Sequence, residues 1–265
     1  MLREVALAWF LLAAGAAAQQ SEEAYRQGTA LFQQGRFAEA AELLRQAVER
    51  EPSARNWKTY GVALAAQEDY RNAEPPLREA CRLAPRDPDA CYYLGRALYA
   101  TDRYEDSIAA MRKAEGVYPR PWRAELALGQ AHEALGQAKE AEKRFLAAVR
   151  RSPPAPVASD FDNPQVDYGL FLYRQGRLEE ALQQYEEGMK RAPGSARARY
   201  QLGRALMQAG RMEEALKRLH EAIELEPGNR EAQLALSKAY FRMGRKEEGE
   251  RHSRLAAGAG SSKSR

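Results

Sequence analysis

Two markers recur along this chain in one register. Glycines stand at Gly28, Gly61, Gly95, Gly129, Gly169 and Gly203, at intervals of 33, 34, 34, 40 and 34 residues. Prolines at Pro52, Pro85, Pro119, Pro153, Pro193 and Pro227 keep the same intervals. A small residue sits between each glycine and proline: Ala40, Ala73, Ser107, Ala141, Ala181 and Ala215. A unit of this size cannot bury its own apolar face, so neighbouring units must stack and share one continuous core.

The sharpest copy is Ala196–Asn229. Leu202 and Leu206 flank Gly203 at helical spacing, and Ala215, Leu219 and Ala222 form a second apolar stripe. Gly210 lies between the stripes, where a left-handed helix cap costs little only for glycine, and Pro227 ends the second helix. The pattern resembles the tetratricopeptide repeat family, with leucine (Leu206) where that family often places an aromatic residue. The resemblance covers roughly residues 21–257 and implies an all-α, right-handed α-solenoid of helix-turn-helix repeats. The register sets repeats at about 21–53, 54–87, 88–121, 122–155, 162–195 and 196–229, then a degenerate cap at 230–257. Pro75 and Pro76 in repeat two predict a second helix that begins late, near Pro75, after an irregular lead-in at Asn72 to Glu74. The interval of 40 exposes a Pro-rich insertion at 156–161, within Ser152–Pro164, which divides four repeats from three. The 258–265 tail has nothing to bury and is expected to be disordered.

Residues 1–18, MLREVALAWFLLAAGAAA, place Arg3 before an apolar run and end on the small residues Ala16 and Ala18. The segment resembles a secretory signal peptide cut before Gln19, with retention as an anchor the alternative. Export to the periplasm or exterior is the expected destination. Cys81 and Cys91, on adjoining helices of repeats two and three, are then either a disulfide or two small buried residues.

Composition narrows function by exclusion. Against 41 basic residues stand 37 acidic, a formal net charge of +4, which gives no special support to nucleic-acid binding. Three histidines, His132, His220 and His252, have no sequence-fixed catalytic partner. His132–Glu133 is followed by Gly136 where a zinc protease needs its second histidine, and His132 takes a core position. No phosphate loop or nucleophile elbow is present, so no catalytic residue, metal or cofactor and no small-molecule substrate is expected. Asp160 and Asp162 of the insertion fall short of a calcium ligand set.

In the family the first helices line the concave side, and the resemblance implies groove-facing residues at the second, fifth, ninth, twelfth and thirteenth places of each repeat. These include Lys58, Tyr92, Arg96, Tyr99, Arg123, Tyr173, Arg174, Arg197, Tyr200, Arg204, Lys238 and Phe241, with Tyr25, Phe32, Arg55, Gln130, Met207 and Arg242 beside them. Cations and aromatics dominate the set. Aromatics off the buried seam are a residue type enriched at interfaces, and arginine beside tyrosine suits carboxylates carried with an apolar anchor. The expected partner is an acidic, apolar-anchored protein or peptide segment, within an exported scaffold or adaptor of a cell-envelope assembly. A membrane-anchored component of an outer-membrane or secretion machine and a carbohydrate-binding module are the alternatives.

Overall fold

The structure, a computed structural model, describes residues 2–115, 119–154, 156 and 163–261. Among these residues it contains helices only, fourteen of them. They are α1 (Leu2–Gln33), α2 (Phe37–Arg50), α3 (Ala54–Ala65), α4 (Tyr70–Leu83), α5 (Pro88–Ala100), α6 (Tyr104–Glu115) and α7 (Pro121–Ala134). There follow α8 (Ala138–Arg151), α9 (Pro164–Arg174), α10 (Leu178–Arg191), α11 (Ala196–Gln208), α12 (Met212–Leu225), α13 (Arg230–Arg242) and α14 (Lys246–Ser261).

Close approach to the second helix explains the register glycines Gly28, Gly61, Gly95, Gly169 and Gly203. A Cβ built on Gly203 would lie 2.7 Å from Leu219 Cγ, and one on Gly61 would lie 2.6 Å from Leu77 Cγ. Only a residue without a side chain admits the partner helix at that distance. The prolines of the register follow the second helices α2, α4, α10 and α12. First helices gain caps from Ser53, Asp87, Ser195 and Asn229, whose side chains accept from backbone N–H groups of the first turn. Three second helices start differently. Arg36, Arg177 and Arg211 occupy their N-cap positions without capping the backbone, and each forks onto the carboxylate three residues on, Glu39, Glu180 or Glu214. The same pairing recurs at Arg103–Asp106 and Arg245–Glu248.

The chain forms two compact units, Met1–Ala141 and Glu142–Arg265. Within each, consecutive helices pack in order, and first helices also touch first helices: α3 with α5, α5 with α7, α9 with α11 and α11 with α13. The division falls inside α8. From Glu142 onward α8 packs on α9: Phe145 is 1% exposed and its ring sits against Tyr168 and Phe171, while Glu142 accepts from the Tyr168 hydroxyl.

Three local expectations need correction or fall outside the described residues. Helix α4 begins at Tyr70, so both prolines lie inside it rather than at its start. Asp69 caps it by accepting from Asn72 N–H, and Pro76 contributes to the buried face, which holds the helix across the lost bonds. The C-terminal segment is helical as far as Ser261, with Ala256 buried; residues 262–265 lie outside the described residues. The insertion, with Asp160 and Asp162, also lies outside them, apart from Pro156.

Cys81 and Cys91 are joined as a disulfide that ties α4 to α5 across 4.9 Å between their Cα atoms. His132 is 4% exposed, and its Nδ1 lies 2.6 Å from Gln137 Oε1 at the end of its own helix hairpin, so it is a packed residue. Among the described residues no helix is long and apolar enough to cross a membrane, and no cluster of three or more His, Cys, Asp or Glu is placed to hold a metal.

Candidate functional site

The second unit carries an open cleft of about 560 Å³ on the side where α9, α11 and α13 meet. Tyr173 of α9 and Tyr200 of α11 form one wall. Met207 and Gln208 of α11 with Leu234 and Ala235 of α13 supply a mostly apolar lining. Arg204, Lys238 and Arg242 bring three cations to it, opposed by Glu231.

Arg204 is the best-positioned charge. Its guanidinium lies 5.5 Å from the centre of the Tyr173 ring and 5.6 Å from that of Tyr200, so both aromatic faces contribute attraction. Nη1 donates to Gln201 Oε1 at 3.1 Å. Among the described residues no carboxylate comes within ion-pair distance of Arg204, Lys238 or Arg242. A guanidinium held between rings keeps its fork pre-organised, and a carboxylate is the group that fork fits.

The other groove-register residues divide by their surroundings. Tyr92 is 5% exposed and belongs to the core around Leu94, Leu98 and Met111, which corrects its expected place in the groove. Its hydroxyl accepts from Arg96 Nη1 at 3.3 Å, and Arg96 itself is exposed. Tyr99 is half-buried against that same core and leans on Tyr104. Tyr25 and Phe32 pack on the core of the first pairs, Phe32 also against Phe37. Phe241 is 46% exposed, yet its ring presses on α14, where a Cβ on Gly249 would meet it at 2.8 Å. These rings fill gaps between helices, a demand that the position within one repeat does not reveal.

Several cations are likewise engaged. Lys58 Nζ lies 2.6 Å from Asp87 Oδ2, and although partial burial opposes ionisation, that ammonium helps hold the Asp87 carboxyl below its ordinary value. Arg197 pairs with Asp167 at 2.6 Å, and Arg55 pairs with Glu22 while lying over the Tyr25 ring. Arg123 is half-buried and Arg174 exposed, and neither lines the cleft. The cleft therefore gathers Tyr173, Tyr200, Arg204 and Lys238 of the twelve expected residues. Gln208, Leu234 and Ala235 escape the sequence reading, although Gln208 holds a thirteenth-place and Leu234 a fifth-place position that the register marks.

A stack of helix pairs with an open, charged cleft along its first helices is the architecture of a helical-repeat interaction scaffold. The chain belongs to the tetratricopeptide repeat family: the family's signatures match residues 25–88, 92–156, 172–222 and 203–244. Among curated proteins it is 26% identical over 135 residues to BBSome complex member BBS4 of Bos taurus, and equally so to that of Mus musculus. That match covers 51% of this chain and spans only 25% of the length of those relatives. Among solved structures, pilF of Pseudomonas aeruginosa superposes with a TM-score of 0.63 at 21% identity, covering 82% of this chain and 97% of that one. Yeast Tom70 superposes with a TM-score of 0.68 at 16% identity, covering 93% and 51%. At these identities the structural likeness concerns the fold.

Proposed function

We propose that this chain is an exported protein-interaction scaffold that holds an acidic, apolar-anchored segment of a partner in the cleft of α9, α11 and α13, within a cell-envelope assembly. The observation that carries the reading is Arg204, set between Tyr173 and Tyr200 above an apolar lining and without a described carboxylate partner. Lys238 and Arg242 extend the positive field, and Met207 and Leu234 offer a seat for an aliphatic or aromatic anchor. Export is supported by the character of residues 1–18 and by the Cys81–Cys91 disulfide, since such bonds persist in oxidising compartments.

The test is a panel of short peptides with Asp or Glu around one Leu or Phe, titrated against the full chain by calorimetry at two salt concentrations. Binding that weakens with salt, and that falls by about tenfold or more in Arg204→Glu while surviving in Arg96→Glu, supports the cleft. Equal loss in both variants, or none in either, overturns it. Amino-terminal sequencing of the protein recovered from its host reads out export separately: Gln19 supports it and Met1 opposes a cleaved leader.

A further inference from the structure

Behind the cleft wall, three rings on three helices meet. His220 of α12 has its Nε2 2.8 Å from the Tyr240 hydroxyl of α13. His252 of α14 has its Nδ1 2.7 Å from Gln233 Oε1, also of α13. The imidazoles touch edge to face with centroids 5.5 Å apart, and the Tyr240 ring stacks on His252 at 5.4 Å and 14°. Each histidine is therefore a bridge, His220 from α12 to α13 and His252 from α14 to α13. Tyr240, the shared member, is buried.

We infer that His220, His252 and Tyr240 form an acid-sensitive lock that holds the terminal helix α14 and the cleft wall α13 in place, and that mild acidification opens it. A proton on either imidazole would set a charge against its neighbour's ring in a half-buried site. The charged groups around the pair pull both ways. Arg245, whose guanidinium lies 4.6 Å from the centre of the Tyr240 ring, and Arg251 on α14 disfavour a further positive charge. Glu224 on α12 and Glu248 on α14 favour it. Gln233 and Tyr240, the partners from α13, are neutral. Burial comes first among the causes and leaves both imidazoles below their ordinary value.

The sign follows from linkage. When α14 is released, its histidine and His220 regain ordinary affinity for protons, near pH 6.5. The released form then takes up protons that the docked form does not. Docking is at full strength above about pH 6.5, weakens as pH falls through that value, and stops weakening once the docked imidazoles are also protonated. Helix α13 turns one face to the lock through Gln233 and Tyr240 and the other to the cleft through Leu234 and Lys238. A loosened lock thus frees a wall of the cleft. That consequence for a ligand rests on the binding reading above, whereas release of α14 does not.

The experiment measures amide hydrogen exchange of the full chain, as protection factors, at about pH 7.5 and about pH 5.5. Protection in Lys246–Ser261 is expected to fall by about tenfold at the lower pH, with a smaller fall in Arg230–Arg242 and little change in Ala54–Ala65. In His220→Gln with His252→Gln, that acid-induced loss disappears. Nuclear magnetic resonance titration of the wild-type imidazoles supplies a second measurement that needs no variant, and both are expected to titrate below pH 6.5. Unchanged α14 protection in the wild type, a loss that persists in the double variant, or imidazoles that titrate at or above pH 6.5 would overturn the lock.

Discussion

At the turn inside each helix pair one residue adopts a left-handed backbone, and glycine does so at Gly35, Gly136, Gly176, Gly210 and Gly244 with φ between 71° and 77°. In the second and third pairs the same place is taken by Glu68 and Asp102, with φ of 61° and 60°. A Cβ there costs roughly 1–2 kcal/mol, part of which glycine returns through its greater freedom when unfolded. Glu68→Gly is therefore expected to raise the urea midpoint by an amount equivalent to about 0.5–1 kcal/mol. Asp102→Gly should gain less, because Asp102 also accepts from the Tyr104 hydroxyl at 2.6 Å. The opposite substitution inside a helix has the opposite sign. Gly203→Ala drives a Cβ to 2.7 Å from Leu219 Cγ and is expected to lower stability by about 1–3 kcal/mol in the same assay.

Helix α4 is the element that departs furthest from its sequence expectation. Pro75 and Pro76 lie beyond its first turn, where each removes a backbone bond that an ordinary residue would make. Pro75 is exposed, so its ring adds little packing to offset that loss. Pro75→Ala is expected to stabilise the chain by about 1–3 kcal/mol, read by chemical denaturation. The same helix is fastened to α5 through Cys81 and Cys91, a closure of ten residues. On the loop-closure model, reduction should lower stability by about 3 kcal/mol, measurable as a shift of the denaturation midpoint with and without reductant.

For the whole molecule, Ser21 is a point at which α1 is tied to α2 and α3. Ser21 is fully buried, donates to Ala47 O at 3.0 Å and accepts from Asn56 Nδ2 at 3.1 Å, while Ala18, Gln19 and Gln20 are exposed. A chain starting at Ala24 is expected to lose about 1–3 kcal/mol, because the buried Ser21 hydroxyl takes with it its two hydrogen bonds, to Ala47 O and from Asn56 Nδ2. The repeat fold was legible from sequence because its markers answer to short-range demands. Glycine is needed where two helices of one pair touch, and proline where the pair ends. Both demands return with the period, so both are visible without coordinates. The cleft was legible only as a register. Whether Lys58 meets Asp87, 29 residues on, or Arg197 meets Asp167, 30 residues back, depends on how each pair is rotated against the next. That rotation also sends Tyr92 into the core and leaves Tyr200 at the cleft wall, although both tyrosines hold the same place in their repeats. The period is a property of one unit and its sequence carries it; burial and neutralisation are properties of neighbouring units, and only the tertiary structure decides them.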